Sequence, residues 1–130
     1  MTVKSRNKYY NPNPLKKETG DCVVRALCKA TGKDWDTVYM EIGQMGFEMK
    51  ELPNSNNVWK KYLEDENFIY HAIPVKKGSK RPTVDLFART HNKGTFVLNV
   101  AGHVVTCQDG NYYDLYDFAT SAVYSYYEKP

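Results

Sequence analysis

The residues best suited to chemistry are Cys22, at the head of the stretch GDCVVRAL, His103 in GHVVTCQ, and the acids of NYYDLYD. A cysteine at the first position of a helix meets unpaired backbone N–H groups and the positive end of the helix dipole. Both favour thiolate, the nucleophilic form, over thiol. Such a sulfur becomes a catalyst when an imidazole can take and return its proton and a third group fixes that imidazole. Of the three histidines, His103 sits at a strand start directly after Gly102, rigidly held yet at an open edge. His91 falls in a turn, and His71 lies mid-strand in IYHAI. Cys28, two turns further along the same helix beside Val24 and Leu27, reads as a small buried hydrophobe.

Helices are expected to come first. Asp21 is placed to cap the first helix and Gly32 to stop it. Val24, Leu27, Cys28 and Thr31 share one face. A second helix follows Asp34, with Trp35, Val38, Tyr39, Ile42 and Met45 at helical spacing; Leu52-Pro53-Asn54 ends that pattern. A third helix over 56–66 would bury Val58, Trp59, Tyr62 and Leu63. These aromatic and methionine stripes read as core. FIYHAIPV is strand-like, and Thr83 can cap a short helix through Val84, Leu86, Phe87 and Ala88. GTFVLNV, GHVVTCQ, NYYDLYDF and AVYSYYE are four further strand-like runs separated by turn residues. The implied class is α+β, with N-terminal helices packed on a C-terminal antiparallel sheet.

The turn Gln108-Asp109-Gly110-Asn111 decides which acid meets His103. A three-residue loop pairs positions that sum to about 220 and sets His103 opposite Asp117. A two-residue loop flips the parity and makes Asp114 a diagonal neighbour of His103. Either carboxylate could orient the imidazole; Asp109 belongs to the turn. Arg25 is one turn after Cys22, where its charge favours thiolate, but an ion pair with Asp21 or another acid is the expected use of that guanidinium.

The 130 residues suit a single domain spanning 1–130. The net charge of +3 is uneven: residues 1–17 carry +5 with no acid, and the remainder carries −2. Residues 1–14, with NPNP at 11–14, are expected to form a basic arm, solvated and partly ordered. Contact of this arm and of KKGSKR (76–81) with nucleic acid is a weaker reading, since the body is nearly neutral and no nucleic-acid motif is present. No apolar run reaches the length of a membrane span. The N-terminal stretch has no signal-like apolar region, so the expected location is the cytoplasm. Three cysteines without CxxC or HxxxH spacing argue against a disulfide framework and a zinc site.

The order of cysteine at a helix start, histidine at a strand start and acid on the next strand resembles the papain-like cysteine peptidases. TGDCVVRAL, HNKGTFVLNVAGHVVTCQDG and YYDLYD carry the likeness, which would span residues 10–128. It is most similar to the small bacterial branch that includes double-glycine leader peptidases, and to phage-borne relatives. The resemblance implies a thiol-dependent amide or peptide hydrolase, or an acyl transferase on the same machinery. It assigns Cys22 as nucleophile, His103 as base, and Asp117 in preference to Asp114 as third member, with a peptide or protein substrate and no metal or organic cofactor. Its oxyanion glutamine, six residues before the cysteine, is Lys16 in this chain. Asn13, or Asn11, on the segment leading to the helix is the expected substitute. The alternative is a non-catalytic binding protein on the same fold, for example a phage-encoded inhibitor of a host factor, to which the eleven tyrosines would suit.

Overall fold

A computed structural model describes residues 5–130. Lys4 of the basic arm lies outside the described residues. Four helices and a six-stranded mixed sheet form an α+β fold. Helix α1 (Cys22–Thr31) begins after Asp21 and ends where Gly32 adopts φ 78, its N–H closing on the Cys28 carbonyl. Helix α2 (Trp35–Met49) is capped by the Asp34 carboxylate on the Thr37 N–H, and α3 (Asn56–Asp65) by the Ser55 hydroxyl on the Val58 N–H. Thr83 caps α4 (Val84–Thr90) in the same way. Each of these three caps satisfies an N–H that the first helical turn leaves open.

The strands are β1 (Asn7–Tyr9), β2 (Ile69–Ala72), β3 (Thr95–Val100), β4 (His103–Gln108), β5 (Asn111–Asp114) and β6 (Val123–Glu128), in the spatial order β1-β5-β4-β3-β6-β2. All pairs are antiparallel except β1 with β5, which is parallel. The C-terminal strands pair antiparallel as expected, and the arm, expected to be solvated and partly ordered, adds a short parallel strand at the edge that makes the sheet mixed. Residues 7–9 form an edge strand, and Asn11 and Asn13 behind it are buried.

Side-chain alternation along the central strands loads both faces of the sheet. Val97 and Val104 join Leu27, Ile42, Trp59 and Leu63 from α1, α2 and α3 in one core. Phe96, Leu98, Val105, Cys107 and Tyr112 join Val84 and Phe87 from α4 in another. All four residues expected on the buried stripe of α3 are in the first core, whereas Tyr39 of α2 is largely exposed. The buried Thr106 hydroxyl donates to the Ala26 carbonyl at 2.6 Å, which pins α1 to β4. The elements carrying Cys22 and His103 are thereby fixed against each other.

Candidate active site

Two tight turns set the imidazole and its carboxylate. Val100 pairs with His103, so Ala101-Gly102 is a two-residue turn, and Gly102 takes the left-handed conformation at φ 62. His103 thus leaves the turn as the first residue of β4. At the other end of β4, Gln108 pairs with Asn111. Asp109 and Gly110 both have positive φ, 50 and 84, the mark of a two-residue hairpin turn that matches strand twist. The register therefore runs Thr106 to Tyr113, which places Asp114 diagonally across from His103.

The His103 Nε2 and Asp114 Oδ2 are 2.5 Å apart, with side-chain exposures of 12% and 1%. The preference for Asp117 is corrected by this register. Asp117 lies beyond the end of β5, where its carboxylate accepts from the Tyr112 hydroxyl, the Ser5 hydroxyl and the Ala119 N–H. It organises the loop after β5 and does not meet His103.

With Nε2 committed to Asp114, the imidazole's Nδ1 is left for the thiol of Cys22. Burial pushes this thiol up. Hydrogen bonding to His103, the charge of that ring, the Val104 N–H and the Arg25 charge outweigh burial, and the net pKa lies below the usual thiol range. For His103, burial favours the neutral ring. Hydrogen bonds and charge from Asp114 and Cys22 prevail, raising its pKa to about 9. The two shifts have opposite sign and one physical meaning: thiolate and imidazolium stabilise each other. Burial instead raises Cys28 and Cys107 to about 12, so neither is a nucleophile at neutral pH. Phe118 stacks on the His103 ring at 4.1 Å between centroids and covers one of its faces.

Asp21 does not cap α1. Its Oδ1 receives the Arg25 guanidinium at 2.7 Å and its Oδ2 the Trp35 indole N–H at 2.9 Å. Among the described residues no side-chain cap bonds the first turn of α1, and its N–H groups are left for a developing negative charge. A cavity of about 410 Å³ opens in front of Cys22 and His103, walled also by Asn54, Asn56, Asn99 and Tyr124. Asn13 is not part of this wall. Its Oδ1 accepts from the Leu15 N–H at 2.9 Å and its own N–H donates to the Asn11 Oδ1, so both asparagines hold the loop before α1. Lys16 is turned back as well, its Nζ on the Asn11 carbonyl.

Besides Asn99, whose amide donates to the Ser125 hydroxyl, the amides of the cavity wall come from PNSN, residues 53–56. Asn56 accepts the Trp59 indole N–H on its Oδ1, which leaves its amide nitrogen as the free donor. In the sequence, Leu52-Pro53-Asn54 reads as a helix break and nothing more. The density of amides there was the available signal. Comparison with protein-family models, curated proteins and solved structures yielded no match. Among the described residues there is no His/Cys/Asp/Glu group suited to hold a metal, and no helix is long and apolar enough to cross a membrane.

His71 and His91 lie elsewhere. His71 pairs with Glu128 across β2 and β6, and His91 ends α4 with its ring stacked on Phe87.

Proposed function

We propose that this protein is a thiol-dependent amide or peptide hydrolase whose reacting groups are Cys22, His103 and Asp114. The observation that carries the reading is the buried Asp114–His103 pair facing Cys22 at the start of α1, with one cavity open in front of sulfur and ring; the downward direction of the Cys22 pKa, opposite to Cys28 and Cys107, agrees with it. The Cys22 thiolate adds to the substrate carbonyl. The resulting oxyanion lies against the first-turn N–H groups of α1 and an amide of Asn54 or Asn56. His103 gives its proton to the departing amine as the C–N bond breaks, leaving a thioester on Cys22. His103, now neutral, removes a proton from water as the water attacks that thioester, and the thiolate is released with the acid product. Asp114 holds the ring orientation and stabilises imidazolium throughout. The amide-rich cavity wall suits the backbone of an extended peptide, and the papain-like resemblance agrees with that substrate class.

The test uses p-nitrophenyl acetate. The expected result is a burst of nitrophenolate of about one equivalent per protein, acetylation at Cys22 by mass spectrometry, then steady turnover. Cys22→Ala should lose both phases. Absence of acylation at Cys22 sinks the nucleophile, and acylation without turnover sinks the hydrolase.

A further inference from the structure

We infer that Arg25 and Asp21 are positioning residues that act as a charge-balanced clamp, orienting Asp114 without drawing off its negative charge from His103. This rests on His103 and Cys22 being the reacting pair. The Arg25 guanidinium bridges two carboxylates, Asp21 at 2.7 Å and Asp114 Oδ1 at 3.3 Å. The three side chains are 6% exposed or less. Asp114 Oδ1 also receives the Leu115 N–H at 2.8 Å, so Oδ2 is left aimed at His103.

A buried arginine paired with Asp114 alone would fix its geometry, but would also cancel the charge that favours imidazolium. Asp21 removes that conflict. It neutralises Arg25 from the far side, and the trio keeps one net negative charge, facing His103. Asp21 is itself held by the Trp35 indole. The cost is visible locally: Asp21 stands at the N-cap position of α1 and makes no capping bond. That diversion also leaves the first-turn amides open beside Cys22, so a single residue serves both the acid partner and the oxyanion end of the site.

The charged groups around His103 are few. Cys22 faces it from the start of α1, Asp114 from β5, and Arg25 and Asp21 stand behind Asp114. From the loop after β5 comes the neutral ring of Phe118, and β3 offers Val100.

The experiment titrates the His103 ring by NMR and follows the rate of Cys22 alkylation by iodoacetamide against pH, so it needs no substrate. Asp21→Asn leaves Arg25 facing Asp114 alone, and the His103 midpoint should fall by about one pH unit. Adding Arg25→Met to Asp21→Asn removes the uncompensated cation and should bring the midpoint back toward that of the parent protein. A merely structural role predicts otherwise: losses that accumulate from single to double variant, with midpoints unmoved in whatever remains folded. An unshifted midpoint in folded Asp21→Asn overturns the clamp, and so does a double variant displaced further than the single. Should the double variant not fold, the single one decides. A protein that fails to turn over p-nitrophenyl acetate yet shows the shift and its reversal loses the hydrolase and retains the clamp.

Discussion

The sheet holds two histidine–carboxylate pairs, and they share more than the pairing. His71 meets Glu128 through Nε2 at 2.9 Å and stacks on Tyr126; His103 meets Asp114 through Nε2 at 2.5 Å and stacks on Phe118. They differ in what lies around them. The His71 pair spans an edge strand, with side-chain exposures of 37% and 43%, and water screens it. The His103 pair is shielded, its acid is gripped from behind by a guanidinium, and its ring has a sulfur on the open side. The motif of histidine, acid and aromatic ring therefore makes no site by itself. Chemistry requires the buried pair to be joined to a nucleophile at a helix end.

The sharpest way to break this contrast is to delete each ring. His103→Ala should lower p-nitrophenyl acetate hydrolysis by about 10²-fold or more, the usual scale of a general acid–base. It should also return Cys22 toward ordinary thiol reactivity with iodoacetamide. His71→Ala should leave both rates unchanged; an equal loss there would make the two pairs equivalent and end the distinction.

Next come the acids. Asp114→Asn should cost hydrolysis at least tenfold and move the His103 midpoint down from about 9, since the ring loses the anion that holds its proton. Asp117→Asn touches only the loop bonds to Tyr112, Ser5 and Ala119, and should cost about 1 kcal/mol in a denaturation curve with the midpoint of His103 in place.

The pH profile comes third. Thiolate and imidazolium coexist from the lowered Cys22 pKa up to about 9, so hydrolysis should decline on the acid side as the thiol is protonated and on the alkaline side as His103 loses its proton near 9. The linked stability terms oppose each other: the raised His103 pKa gives a contribution lost as pH climbs through about 9, and the lowered Cys22 pKa gives one gained over the same window, so the pair leaves the denaturation midpoint nearly level between the ordinary histidine and thiol ranges. Cys22→Ala leaves the His103 contribution unopposed and should lose stability as pH climbs through that window; a parent protein that loses it as steeply would contradict the pairing.

The smallest effects concern the aromatic lids. Phe118→Ala should weaken the His103–Asp114 pair by about 1 kcal/mol and slow hydrolysis several-fold. Tyr126→Ala over His71 should register only in thermal stability.

Much of this arrangement was legible before any coordinates. Local signals fixed it: Gly32 after the last turn of α1, Thr83 before α4, and the stripe Val58, Trp59, Tyr62 and Leu63. Cys22 and His103 are readable for the same reason, since each sits at an element's first residue. The choice between Asp114 and Asp117 was not, because it turns on whether Asn111 belongs to the loop or to the ladder. Asp109 at φ 50 settles it, and asparagine or aspartate tolerates that conformation in either loop length. β1 escaped because its partner lies about a hundred residues away and three residues beside a proline pair carry no periodicity. Asn13 lies outside the cavity wall because short polar side chains before a helix bond their own loop, as its Oδ1 does with the Leu15 N–H.

That edge strand has a practical consequence. Tyr9 pairs with Asp114 in the parallel ladder, and the Tyr10 N–H donates to the Asp114 carbonyl at 3.2 Å. Clipping the chain ahead of Asn11 would strip the outer support from Asp114, the residue that grips the His103 ring. A recombinant version shortened there to tidy its head end should come out folded but slower in the proposed hydrolysis, and a protease acting at that point would be a direct way to switch that reaction off.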